Sequence, residues 1–222
     1  YEYAGDDPEE VTALRNASDD SVFAAYSYDE AGNQTTRSYT ATGEAWDYTY
    51  DGTDQLRRAV RKVGDTVQSS EEYWYDENGK RVLSLKRDAT GDQSELIWWI
   101  GDVEAHYDGT GNPTRNDSYV TVGTSLLRLT RDRACTHGLV MSYKFLFHGL
   151  GDNTIATVDR SGITGAAMSY TPFGELLETV NDASAERRRM NDKYVDEVSS
   201  LAYYGARYYD ALSMIWTQAD PA

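Results

Sequence analysis

In Tyr26-Ser27-Tyr28-Asp29-Glu30-Ala31-Gly32-Asn33, two tyrosines stand two residues apart, an aspartate follows at once, and a glycine comes three residues after it. Residues i and i+2 of an extended strand share a face, so Tyr26 and Tyr28 make a two-rung aromatic stripe. Asp29 can accept backbone N–H groups just ahead of it, and Gly32 supplies the positive φ that closes a type I turn with a bulge. The unit recurs at Tyr1-x-Tyr3, Tyr48-Thr49-Tyr50-Asp51 and Tyr73-Trp74-Tyr75-Asp76, with second tyrosines at 3, 28, 50 and 75, hence 25, 22 and 25 residues apart. A repeated strand-and-turn unit predicts an all-β chain of stacked antiparallel hairpins. Tyr26, Tyr28, Tyr48, Tyr50, Tyr73 and Tyr75 would then form a ladder across neighbouring strands.

The segments between and beyond these units read as strands too. Gln34–Thr40 and Arg81–Lys86 alternate or are β-branched, while Glu95–Ile100, Tyr119–Val122 and Met141–Phe147 are apolar runs bounded by Gly, Asp or Asn. Glu95–Ile100 reads as a buried strand. Asp76-Glu77-Asn78-Gly79-Lys80 and Asp108-Gly109-Thr110-Gly111-Asn112 repeat the turn chemistry. One run, Asp182–Met190, carries a helix-cap candidate and good helix formers. About four to six hairpins are expected in all.

The composition points the same way. Of 222 residues, 18 are Tyr, 5 Trp and only 4 Phe. A tyrosine ring buries area while its hydroxyl keeps a polar partner, which suits a sheet with a partly wet inner face. The net charge of −16 repels phosphate backbones, and the basic clusters Arg57–Lys62 and Arg187–Arg189 are short islands, so nucleic acid is excluded as an expected partner. No run approaches the roughly 18 apolar residues of a membrane-spanning helix, and the first residues contain no signal-peptide pattern. With no initiating Met and no closing element after Asp220-Pro221, a piece of a longer chain is expected. A single cysteine, Cys135, rules out an intrachain disulfide.

Three stretches together resemble the Rhs/YD-repeat family of bacterial polymorphic toxins, toxin-complex shell proteins and teneurins. Tyr-Asp-x-x-Gly-Asn elements at 28–33 and 107–112 look like YD repeats, with 50–55 and 75–80 as looser copies in which Gly52 comes early or Lys80 replaces Asn. His148-Gly149-Leu150-Gly151, Thr157–Gly162 and Tyr170-Thr171-Pro172-Phe173-Gly174-Glu175 are similar to the stretch that follows the repeats. Lys193–Glu197, Leu201 and Tyr203-Tyr204-Gly205-Ala206-Arg207-Tyr208-Tyr209-Asp210 resemble the core-associated signature. The resemblance implies a spiral β-shell around a C-terminal effector polypeptide, in a secreted or bacterially injected protein. Residues 1–147 would be repeat hairpins and 148–222 the core-associated region, ending in an inward plug. The implied partners are the rest of the shell and the effector. An adhesive surface for glycans or receptors is the alternative.

In many family members two aspartates beyond the core motif cut the chain and free the effector, and Asp220-Pro221 matches the start of the first. Two carboxylates must share a proton for that chemistry, so Asp220 alone is a half-site whose partner lies downstream. Ala211 and Ser213–Trp216 depart from the family pattern beside it. The chain itself therefore reads as structural rather than enzymatic. Cys135-Thr136-His137 lacks an orienting third group. His106, His137 and His148 lie too far apart in sequence to read as a metal site, and the Asp-rich turns lack the oxygens of a calcium loop. No metal or cofactor is expected. The Arg187–Arg189 triplet reads as a solvated loop.

Overall fold

The computed structural model describes residues 1–4, 7–123, 125–133, 140–181 and 186–219. Sixteen strands follow one another: β1 (Glu2–Ala4), β2 (Asp7–Arg15), β3 (Val22–Tyr28), β4 (Gln34–Tyr39), β5 (Glu44–Tyr50), β6 (Leu56–Val63), β7 (Thr66–Tyr75), β8 (Arg81–Arg87), β9 (Gln93–Ile100), β10 (Val103–Asp108), β11 (Pro113–Val122), β12 (Ser125–Asp132), β13 (Val140–His148), β14 (Thr154–Asp159), β15 (Thr164–Tyr170) and β16 (Leu176–Asn181). They form one antiparallel sheet in which each strand pairs with the next in sequence, so no connection crosses another. The architecture is the expected stack of hairpins, with more strands than the tyrosine pattern alone marks out.

The turns explain why the chain reverses where it does. The Oδ1 atoms of Asp29, Asp51, Asp76, Asp88, Asp108 and Asp159 each accept two backbone N–H groups, from residues two and four positions on, at 2.8–3.2 Å. The aspartates organise the backbone of the turns. The residue three after the Asp has positive φ, as at Gly32 (80°) and Gly111 (84°). At 51–55 that role falls to Asp54 (φ 59°), which accounts for the early Gly52. A register shift beside these turns, between Ser27 and Tyr28 or Trp74 and Tyr75, is the accompanying bulge.

A second sheet of four short strands, β17 (Tyr194–Val195), β18 (Ala202–Tyr203), β19 (Tyr208–Asp210) and β20 (Ile215–Trp216), folds onto one face of the large sheet, here called the inner face. Its core joins Trp46, Tyr48, Leu56, Ala59 and Tyr73 of the large sheet to Leu201 and Tyr208 of the terminal segment. Within residues 148–222, therefore, β14–β16 continue the large sheet and the segment from Glu186 onward covers the inner face.

Three expectations need correction. Glu186–Arg189 is not helical, and Met190 only opens a single 3-10 turn, Met190–Asp192; Arg188 instead bridges to Tyr194 and its guanidinium lies 3.9 Å from the centre of the Tyr119 ring. Tertiary contacts override local propensity there. For the same reason Arg187–Arg189 is not a solvated loop: the Arg188 side chain is mostly covered. β9 is only half buried, since Ile97 faces inward while Trp98 (45% exposed) and Ile100 (63%) face outward.

Candidate functional site

The inner face under the terminal segment gathers nearly every unusual residue of the chain. Alternation along β3, β5 and β7 turns Tyr26, Tyr48 and Tyr73 inward as one rung and Tyr28, Tyr50 and Tyr75 as the next. The inner rung is dry, not half-wet: Tyr73 is 1% exposed because Tyr208 packs on it at 5.8 Å between ring centres. Tyr203 packs on Tyr208 (5.2 Å) and Tyr75 (6.5 Å), and the Tyr75 and Tyr208 hydroxyls are 2.9 Å apart. The tyrosine ladder and the core-associated motif are thus two sides of one contact.

Two buried arginines fasten it. Arg37 on β4 donates to the Ser199 carbonyl (2.7 Å), lies 3.3 Å from Asp210 and stacks over Trp46 at 4.3 Å. Trp46 Nε1 in turn donates to the Val198 carbonyl at 2.6 Å. Arg81, the first residue of β8, contacts both oxygens of Asp196 at 2.7 Å. Its guanidinium sits within 4.3 Å of the Trp99 ring centre and 4.5 Å of that of Tyr203. Burial opposes the charge of Arg81, but the Asp196 carboxylate, its hydrogen bonds and the neighbouring Tyr208 and Tyr73 hydroxyls together outweigh it and raise the pKa. Charge-assisted bonds of this kind fix geometry as well as adding energy.

Beyond β7 the inward positions turn from aromatic to ionisable. Register places Glu71 opposite Lys86, Lys86 opposite Glu95, and Glu104 opposite Asp117. Lys86 bonds Glu95 and also Glu197 of the terminal segment (2.9 Å). Burial, then the charge of Asp196, pushes Glu71 up to about 7, and one of its oxygens has no hydrogen-bond partner. Burial pulls Glu95 upward, yet the bonds from His106 and Lys86 hold it at about 2. His106 Nδ1 lies 2.9 Å from Glu95, while Nε2 faces Glu104 and Asp117.

Sequence reasoning singled out the aromatic half of this surface and the stretch Tyr203–Asp210 that packs on it. It missed Arg37, Arg81, Glu71, Lys86, Glu104 and Asp117, because charged residues in a strand ordinarily mark the solvent side. The available signal was their period-two placement in line with inward neighbours, such as Lys86 two residues after Ser84. Cys135, His137 and Asp220 lie outside the described residues. His148 is near Asp192, with Nε2 3.7 Å from Oδ1, and not near His106's cluster.

The chain superposes on TcdB2-TccC3-Cdc42 with a TM-score of 0.67 and 16% identity, covering 96% of this chain and 13% of that one. For TcdB2-TccC3-TEV the score is 0.66 at 17% identity, over 89% and 12%. The fold is that of a toxin-complex chain. Among curated proteins, the tRNA3(Ser)-specific nuclease WapA of Bacillus spizizenii is 28% identical over 217 residues, and the tRNA nuclease WapA of Bacillus subtilis 168 is 26% identical over the same length. The chain covers 95% of its own length in these matches but only 8% of theirs. No family model matches it. The likeness to toxin-complex chains runs through wall and terminal segment alike, and the relatives are toxin-complex and WapA proteins.

Proposed function

We propose that this chain is a section of the wall of an Rhs-type shell, closed from inside by its terminal segment, and that the shell encloses an effector polypeptide carried elsewhere in a longer, secreted or injected protein. Residues 1–147 supply repeat hairpins and 148–222 the core-associated region. One observation carries the reading. The sheet is an uninterrupted meander whose outermost strands, β1 and β16, each pair on one side only among the described residues, so the same sheet can extend at both edges. A wall needs that property and an isolated enzyme domain does not. The nuclease activity named for the WapA relatives would then belong to the enclosed part, and Asp220 to a release site completed downstream.

Limited proteolysis of the full-length protein tests it. The effector region is expected to resist protease while the shell is intact and to be digested once the shell is opened by denaturant. Equal digestion of the effector region before and after opening would overturn enclosure. A second reading, surface recognition of glycans or receptors, is favoured by the outward Trp98 and Ile100, and gains if protection is absent.

A further inference from the structure

His106 holds the most unusual polar environment among the described residues. The residue is 1% exposed. Its Nε2 has no hydrogen-bond partner, and lies 3.8 Å from Glu104 Oε2 and 3.7 Å from Asp117 Oδ2, too far for an N–H···O bond. Both carboxylates are themselves buried, and the three ligand atoms all lie within 4.8 Å of one another. Strand register produces the cluster: Glu104 pairs with Asp117 across β10 and β11, and His106 follows Glu104 by two residues on the same face. Burying two carboxylates beside an orphaned ring nitrogen is costly unless something occupies the space between them.

We propose that Glu104, His106 and Asp117 bind a first-row divalent transition-metal ion of the zinc type, which staples β10 to β11 within the wall. An imidazole and two carboxylates are the nitrogen and oxygen donors such ions select, and they leave one position for water. Tetrahedral bonds of about 2.0–2.2 Å would set ligand atoms roughly 3.3–3.6 Å apart; Nε2 is within a few tenths of an ångström of that separation from each carboxylate, and the two carboxylate oxygens, within 4.8 Å of each other, would draw together around the ion. Glu95 supplies the supporting bond. By accepting from Nδ1 it fixes the proton there and leaves the Nε2 lone pair toward the carboxylates, the arrangement that orients metal-bound histidines. Of the three residues, Glu104 lines a cavity of about 350 Å³ with Arg188, Tyr194 and Tyr203. Arg115 reaches Asp117 (3.1 Å) and Arg188 reaches Glu104 (3.4 Å) from the rim; these contacts offset part of the negative charge and compete with the ion.

The test strips the full-length protein with chelator and titrates it with Zn²⁺ against a competing indicator, with Ca²⁺ and Mg²⁺ as controls. The wild type is expected to bind one Zn²⁺ more than His106→Gln does, with no displacement by Ca²⁺ or Mg²⁺. Asp117→Asn should weaken that site at least about tenfold, and Glu95→Gln by about 10–100-fold. Co²⁺ loaded in place of Zn²⁺ should show visible absorption that is lost in His106→Gln. If His106→Gln does not fold, Asp117→Asn and the Co²⁺ spectrum decide. Zn²⁺ stoichiometry unchanged between wild type and folded variants, or no Zn²⁺ bound at all, would overturn the proposal and leave His106 as a protonated bridge between carboxylates. The proteolysis result is independent of either outcome.

Discussion

Glu71 is the residue whose energetics are most exposed to test. It is fully buried, opposite Lys86 and near Asp196, and its pKa is raised to about 7 by burial first and by Asp196 second. Folded chains therefore hold a proton on Glu71 in a pH range where unfolded chains, with an ordinary glutamate value of about 4.3, have lost it. A folded pKa above the unfolded one gives stability that is complete below the unfolded value and declines as pH rises toward the folded one. Between about pH 4.3 and 7 the decline from this group is at most about 3 kcal/mol. Glu71→Gln should remove it. Thermal melts are expected to show the variant gaining on the wild type as pH rises from 5 to 8; parallel curves across that range would show that Lys86 and Arg81 hold the carboxylate charged.

At the scale of elements, the turn is the unit that repeats, and it rests on positive-φ residues placed three after an Asp or Thr. Gly111 and Gly174 separate the two demands a glycine can meet. Both have positive φ, at 84° and 93°, but a Cβ on Gly111 would meet nothing within 4 Å, whereas one on Gly174 would lie 2.0 Å from Met190 Sδ. Gly111→Ala should cost only the left-handed backbone penalty of about 1–2 kcal/mol. Gly174→Ala should cost clearly more, because Met190 must also move and it belongs to the segment that covers the inner face. Chemical denaturation of the two variants compares them directly, and equal losses would mean that Met190 yields freely. These turns were legible in the sequence, since an Asp and a Gly at fixed spacing have only a few backbone solutions. The partnership of Tyr73 with Tyr208, or of Arg81 with Asp196, was not, because residues more than a hundred positions apart meet through the meander's path and not through any local pattern. The wet inner face inferred from the tyrosine excess failed for the same reason: composition names the ring, and only the fold says what lies on it.

Across the whole molecule, the question is whether the large sheet holds its shape by itself or needs the terminal segment. The strand ladder is internal to residues 1–181, each strand hydrogen-bonded to its sequence neighbours, so the backbone pairing does not require residues 186–219. The side-chain core does. Trp46, Tyr48 and Tyr73 owe their burial to Val198, Leu201 and Tyr208, and among the described residues both Arg37 and Arg81 find their carboxylate partners in the terminal segment. Removing residues 186–222 would leave two guanidinium groups without their carboxylates and an aromatic stripe facing water, forfeiting about 1.5–3 kcal/mol for each large apolar side chain fully exposed. The expected product keeps far-ultraviolet β signal, loses near-ultraviolet signal from Trp46 and Trp99, and binds a hydrophobic dye that the intact protein excludes. Retention of the near-ultraviolet spectrum would mean that the wall orders its own inner face. Loss of both signals would mean that the segment is part of the folding unit and not a cover laid on a finished wall.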